Sequence, residues 1–260
     1  MIRRDSPIAI QARVIYALIL RDMRTRFGRS FVGYLVILGW PLSHLLFLLG
    51  LYSILRNYVP IGTNSTVFIG TGILPYILCL YPGRMIMTSV VMNRPLLGFP
   101  VIKASDLIFA RAIVETITAF WVVAILCVIL YLLDIDFMPN RIEDAVAAIL
   151  ATVYLGLALG WMGAVMFAWF KAWLGVQIAL LLTMYFSSGV FFIPSRLSAN
   201  LQTILYFNPL MHSVEWLRSA YYDGYGYGLL DRAYLIGYAT VILVWAMTIE
   251  RAIRGRLLQQ

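Results

Sequence analysis

Six long apolar runs dominate the chain, at roughly 31–55, 67–92, 106–133, 145–170, 172–193 and 230–249. Most match the roughly 20 apolar residues that carry a helix across a hydrocarbon core about 30 Å thick. A water-exposed fold would have to bury all six at once. With 62% hydrophobic and 12% charged residues in 260, the chain has too little polar surface to cover them. The expected fold class is an all-α polytopic membrane protein with six transmembrane helices. The connections are too short for a separate soluble domain. We therefore divide the chain into a cytoplasmic amphipathic segment, 1–30, and a membrane domain, 31–260. No internal repeat and no low-complexity tract is visible.

The net charge of +8 would point a soluble protein toward nucleic acid, but here it reads first as a topology signal. With both termini inside, the inner flanks hold Arg3, Arg4, Arg13, Arg21, Arg24, Arg26, Arg29, Arg94, Lys103, Arg111, Lys171, Arg251, Arg254 and Arg256. Only Arg56, Arg141, Arg196, Arg218 and Arg232 fall outside, and Arg84 lies within the second run. Cytoplasmic flanks are enriched in Lys and Arg, so an N-in, C-in arrangement is expected and nucleic acid is not an expected partner. The N-terminus lacks the short apolar core and small-residue cleavage site of a removable leader.

Before the first run, Ile8, Ile15, Leu18 and Ile19, then Leu20, Met23 and Phe27, recur at helical spacing against Arg13, Arg21, Asp22 and Arg24. This predicts an amphipathic helix on the inner face, serving either as a lipid anchor or as a docking surface. The inner loop Asn93-Arg94-Pro95-Leu96-Leu97-Gly98-Phe99-Pro100-Val101-Ile102-Lys103 combines prolines, basic residues and exposed apolar side chains. It suits pressing into another protein, or resting in the headgroups as a plain connection. On the outside, Ser187-Ser188-Gly189 and Ile193-Pro194 interrupt an apolar run. Asn208-Pro209 then opens a new helix, with Asn as N-cap and Pro at its first position. We expect two short re-entrant helices there, before the last span. Such segments are tolerated at membrane depth only when buried in protein or lining a wet cavity.

The chemistry is sparse. No Gly-Lys-Ser/Thr occurs, so the chain has no Walker-type phosphate loop. Cys79 and Cys127 lie inside apolar runs and read as small buried hydrophobes without a disulfide. No metal site is expected: His212 and Glu215 lack a complementary cluster, and His212, Glu215 and Arg218, three residues apart, read as a capping and pairing set. No catalytic residue set is visible. Asp134, Asp136, Glu143 and Asp144 form an outer acidic cluster, read as turn-flanking residues plus acids in the first turn of the fourth span. Arg111 and Glu115, four apart, are read as an ion pair. Arg84 has no such partner in its own helix, which opens it to an anionic ligand, a neighbouring helix or snorkelling. The outer aromatics, including Trp216, Tyr221, Tyr222, Tyr225, Tyr227, Tyr234 and Tyr238, suit either an interfacial belt or contact with sugar rings.

Three stretches together resemble the membrane permease subunits of ABC polysaccharide exporters, closest to the capsular-polysaccharide branch. They are Arg21-Asp22-Met23-Arg24-Thr25-Arg26-Phe27-Gly28-Arg29-Ser30 with Gly33-Tyr34-Leu35 and Pro41; Asn93-Arg94 through Lys103 with Asp106, Arg111 and Glu115; and Asn208-Pro209-Leu210, His212, Glu215, Arg218 and Tyr225-Gly226. One departure is Val36, where that family often carries Trp. The resemblance implies a bacterial inner-membrane permease that is not itself an enzyme. It works as a homodimer with two copies of a cytoplasmic ABC ATPase that bind ATP and Mg. Periplasmic and outer-membrane polysaccharide export proteins are implied as further partners.

It further implies that Arg21, Arg24, Arg26, Arg94, Pro95, Leu97, Phe99 and Lys103 couple to the ATPase. Arg84, Trp216, Tyr221, Tyr222 and Tyr225 would contact a lipid-linked acidic glycan. Arg111, Glu115, Asn208, His212, Glu215 and Arg218 would serve as structural ion pairs and caps. Rival readings are an O-antigen or teichoic acid permease and a membrane-embedded enzyme acting on lipid-linked sugars. A secondary transporter is disfavoured by the missing internal repeat.

Overall fold

A computed structural model describes residues 6–27, 31–55, 61–62, 64–225 and 228–259, all helix, turn and loop without strands. Among the described residues ten α-helices run in order: α1 Pro7–Phe27, α2 Phe31–Leu55, α3 Ser65–Met87, α4 Ser89–Met92, α5 Ala104–Leu132, α6 Ile142–Trp169, α7 Trp173–Phe186, α8 Ala199–Tyr206, α9 Pro209–Tyr221 and α10 Arg232–Gln259. Short 3-10 turns occupy Arg94–Gly98 and Pro194–Arg196. Arg3, Arg4, Arg29, Arg56, Gly226 and Tyr227 lie outside the described residues, as do the side chains of Arg26, Arg254 and Arg256.

Each of the six apolar runs is helical, but among the described residues only α3, α5, α6 and Arg232–Ile253 of α10 are long and apolar enough to cross a membrane. The stretches Leu38–Tyr52 in α2 and Trp173–Phe186 are shorter. Two expected boundaries move. The second run breaks at Thr88, between α3 and α4. The fifth ends at Phe186 rather than continuing to 193. After Phe186 the chain turns through Gly189, whose φ of +83° suits a residue without a side chain, and a Cβ there would meet the Pro194 ring at 2.7 Å.

The helix α3 is the centre of the molecule: 89% of its apolar window is buried, against 22% for α10. Its Asn64 cap accepts the Thr66 backbone N–H at 2.9 Å. It packs on α6 through small residues. A Cβ on Gly156 would meet the Cys79 carbonyl oxygen at 2.7 Å, and one on Gly160 would come within 3.1 Å of the Gly83 Cα. The Gly156-xxx-Gly160 spacing puts both on one face, so the two backbones touch. This seam anchors the large core, which gathers Ile69, Ile73, Leu155 and Leu159 with Val214 and Leu217 of α9. A smaller inner core collects Leu18, Ile86, Val90, Leu97, Ile108 and Trp161. The short α7 is held by Gln177, whose amide donates to the Leu159 carbonyl at 3.2 Å and accepts from the Trp173 indole at 2.8 Å. Both cysteines are free; Cys79 is buried as expected, whereas Cys127 lies on the exposed face of α5.

Candidate functional site

One end of the molecule is built by docking α1 onto the start of α5. Asp106 closes a capping box at that start, accepting the Lys103 backbone N–H at 2.9 Å, and also receives the Gln11 amide from α1. Lys103 Nζ donates to Gln11 Oε1 at 3.5 Å. One helical span further along α1, Arg21 donates to Asn93 Oδ1 at 2.8 Å, and Asn93 donates to the Ser89 carbonyl at 2.8 Å. Asp22 pairs with Arg111 at 3.2 Å, and Arg111 also meets Glu115 at 3.7 Å. The expected Arg111–Glu115 pair is therefore part of a three-residue cluster that reaches α1.

Of the apolar residues on α1, Leu18 is buried, whereas Ile8, Ile10, Tyr16 and Leu20 stay exposed. This is the pattern of a helix with one side on protein and another left for the membrane. In the 93–103 loop, Pro95, Phe99, Val101 and Lys103 are exposed and Arg94 is half-buried. Leu97 departs from the expected exposed position. It is 7% exposed because the 3-10 turn folds it into the inner core beside Val90 and Leu107. The turn between α6 and α7 joins this face, since Trp169 and Lys171 line a cavity of about 110 Å³ with Arg94 and Leu97. Its sequence signal is Trp169 and Phe170 beside Lys171, a turn rich in aromatic groups. Arg24 is exposed on α1.

The second feature surrounds Arg84. It lies in the last turn of α3, where the helix dipole favours a cation, and it is exposed. With Trp40, Tyr76 and Tyr81, and with Leu181 and Leu182 of α7, it lines a cavity of about 100 Å³. Behind it the aromatics pack closely. Tyr76 and Tyr185 rings are 3.7 Å apart, His44 stands edge-on to Tyr76 at 5.5 Å, and His44 Nδ1 lies 3.3 Å from the Tyr81 hydroxyl. None of Tyr76, Tyr81 and Tyr185 was singled out in the sequence. The only signal was the spacing of Tyr76 and Arg84, eight apart and so on one helix face.

The residues around α9 are used differently. Trp216 is buried, donates to Asp144 at 3.3 Å and carries the Arg232 guanidinium over its ring. Asp144 also pairs with Arg232 at 2.9 Å and Arg141 at 3.0 Å, and with Glu143 it lies in the first turn of α6 as expected. Tyr221 donates to the Phe137 carbonyl at 3.2 Å and Tyr225 to Glu215 at 2.6 Å, while Tyr222 is half-buried. The structure therefore places Trp216, Tyr221 and Tyr225 within the chain's own packing. Among the described residues no cluster suited to a metal is found.

Asn208 caps α9 as expected, accepting the Leu210 N–H at 3.0 Å, and Pro209 opens the helix. The expected pairing of His212, Glu215 and Arg218 takes another form. The Asp231 N–H donates to His212 Nδ1 at 3.1 Å, so His212 Nε2 carries the proton and donates to the Tyr206 carbonyl at 2.7 Å. Arg218 is fully buried and donates to the carbonyls of Gly189, Val190, Phe192 and Phe68 at 2.6, 2.8, 3.2 and 3.4 Å. Its guanidinium also sits 3.9 Å from the Phe68 ring centre. The buried turn after α7 presents several carbonyls, and Nη1 and Nη2 of Arg218 donate to three of them, while Nε has no partner among the described residues.

Comparison with known proteins places these features in context. Residues 13–222 match the family described as ABC-2 type transporter. The polysialic acid transport protein KpsM of Escherichia coli is 27% identical over 246 residues, covering 95% of each chain. The capsule polysaccharide export inner-membrane protein BexB of Haemophilus influenzae is 26% identical over 215 residues, covering 83% of this chain and 81% of its own. CtrC of Neisseria meningitidis, with the same description, is 26% identical over the same shares.

Proposed function

The chain belongs to the ABC-2 type transporter family, and from that membership we propose that it is the inner-membrane permease of an ATP-driven exporter of capsular polysaccharide. KpsM, BexB and CtrC support this reading along most of the chain. We read the cargo as lipid-linked and acidic. The observation that carries this is Arg84, a cation left exposed on the most buried helix and set among Trp40, Tyr76 and Tyr81. A charged group at such a position is costly unless it meets a wet path or an anion, and flat aromatic faces beside it suit sugar rings. Trp216, Tyr221, Tyr222 and Tyr225 would complete the outer part of that path once it opens.

In this reading the chain crosses the membrane six times with both termini inside, and α8 and α9 form the re-entrant pair. Two copies enclose the path, with the Arg84 surfaces turned inward. Two separate ATPase chains, which hold ATP and Mg, dock beneath. Arg24 and Arg26, with Arg94, Pro95, Phe99 and Lys103, meet them, and Arg21 holds α1 to the 93–103 loop. Closure of the ATPases shifts the permease toward its open state only through contacts that differ between the two states. A stapled α1 and loop would carry that difference into α5. Periplasmic export proteins would receive the polymer.

The test uses cells that lack their own permease and carry this chain with its cognate ATPase. Arg84→Ala should lower surface polysaccharide at unchanged protein level. Arg94→Glu with Lys103→Glu should lower export and ATPase co-purification while membrane insertion persists. Normal export by Arg84→Ala would remove Arg84 from the path, and export of O-antigen or teichoic acid alone would reassign the cargo.

A further inference from the structure

His212 closes a ring of hydrogen bonds that joins three helices. Its Nε2–H donates to the carbonyl of Tyr206, the last residue of α8, at 2.7 Å, and its Nδ1 accepts the backbone N–H of Asp231, just before α10, at 3.1 Å. The Asp231 carboxylate then accepts the Tyr206 hydroxyl at 2.6 Å, which returns the ring to α8. Tyr234 braces it from α10, donating its N–H to Asp231 at 2.8 Å and its hydroxyl to the Phe207 carbonyl at 2.9 Å. The His212 and Tyr206 rings stand edge-on at 4.9 Å, and His212 is fully buried.

This arrangement takes one protonation state. The Asp231 N–H can only donate, so Nδ1 must offer it a lone pair. A proton on Nδ1 would set two donors against each other, and the bond between α9 and the start of α10 would be lost. Among the described residues the charged group that acts on the imidazole is the Asp231 carboxylate, itself held by Tyr206 and Tyr234. The other charges near α9 are engaged elsewhere: Glu215 by Tyr225, Arg218 by carbonyls, and Asp144 with Arg232. Burial pushes the imidazole below its ordinary value, and the Tyr206 carbonyl, the Asp231 carboxylate and the Leu229 carbonyl oppose that only in part.

We propose that the His212–Asp231–Tyr206 ring is a proton-sensitive latch, which holds residues 228–231 and the start of α10 against α8 and α9 and releases them in acid. The released imidazole titrates at its ordinary value of 6.5, whereas the latched one must stay neutral. The latch is therefore complete above that value and weakens as pH falls below it, by up to about tenfold per unit. Tyr206 and Asp231 also line a cavity of about 550 Å³ with Tyr225, Arg141 and Arg232, so release remodels one wall of it. The device does not depend on which polymer is carried.

Hydrogen exchange of the full-length chain in detergent, read by mass spectrometry and divided by the intrinsic rate at each pH, tests the latch. Protection of peptides covering 228–235 should fall about tenfold from about pH 7.5 to about pH 5.5, while that of α6 stays constant. His212→Gln keeps a donor for the Tyr206 carbonyl and cannot titrate, so its protection should be lower and independent of pH. Tyr206→Phe should lower protection a few fold at neutral pH and keep the pH dependence. A second reading needs no change at His212. In the chain labelled with nitrogen-15 histidine, the two imidazoles are told apart by His44→Gln. That of His212 should show a bare Nδ1 at neutral pH and gain a proton there in step with the exchange. The same pH dependence in His212→Gln as in wild type would overturn the latch, as would a protonated Nδ1 at neutral pH. An equal loss of protection in α6 would overturn local release.

Discussion

Two arginines, both nearly removed from solvent, are handled in opposite ways at the two ends of the molecule. At the end where α1 docks, Arg111 is met by the carboxylates of Asp22 and Glu115, side chains on α1 and on its own helix. At the other, beside the turn after α7, Arg218 is met by four main-chain carbonyls and an aromatic ring. An ion pair between side chains can be made and broken as a helix moves, and its net contribution is modest because desolvation opposes the attraction. A guanidinium caged by carbonyls is part of the backbone architecture, and removing it leaves several buried acceptors empty. The Arg111 cluster is thus suited to an element that moves, and the Arg218 cage to a turn that must hold its shape.

The largest effect should come from breaking the outer cage. Arg218→Leu should destabilise the chain by at least about 4 kcal/mol, seen as loss of folded protein in detergent-based thermal unfolding. Arg218→Lys should recover little, since an ammonium cannot reproduce the fork. Next, Gly72→Ala presses on the same cage from α3: its Cβ would fall 2.8 Å from an Arg218 Nη and 3.0 Å from the Val190 backbone. A cost of about 1–3 kcal/mol is expected by the same measurement.

Asp22→Asn should cost less, about 1–2 kcal/mol, because Arg111 keeps Glu115. Its signature should be local, with faster amide exchange in 7–27 and little change in α9. A uniform increase across both ends would erase the contrast between the two arginines. The smallest effect concerns Tyr206, whose hydroxyl donates to Asp231 at 2.6 Å and holds that carboxyl below its ordinary range. The stabilisation this brings is present above the unfolded-state carboxylate pKa and is lost as pH falls through the lower folded value. Tyr206→Phe should raise the Asp231 pKa and lower stability slightly at neutral pH, with the difference from wild type disappearing as pH falls through the folded value, as read by acid titration of the folded signal.

The helices were largely legible because local periodicity and end signals write them directly. The apolar runs, the Asn208-Pro209 start and the acids at Glu143 and Asp144 all act within a few residues. What escaped was set by distant contacts. Arg218 finds its acceptors 26 to 150 residues away, so its spacing from Glu215 said nothing about them. Leu97 sits in a loop that reads as exposed, yet α5 and α6 supply the neighbours that bury it. The Tyr76–Tyr185 contact joins α3 to α7 across more than a hundred residues, and Arg84 gained its aromatic setting only when those helices met.

The glycine seam between α3 and α6 has a mechanical consequence. Where backbones touch at Cys79 and Gly156, there are no side-chain rotamers to flex and let one helix slide past the other. The pair behaves as a single stiff beam through the chain. Any movement of one end must therefore displace that beam whole or be taken up at the joints around it, those of α1, α2 and the short α7.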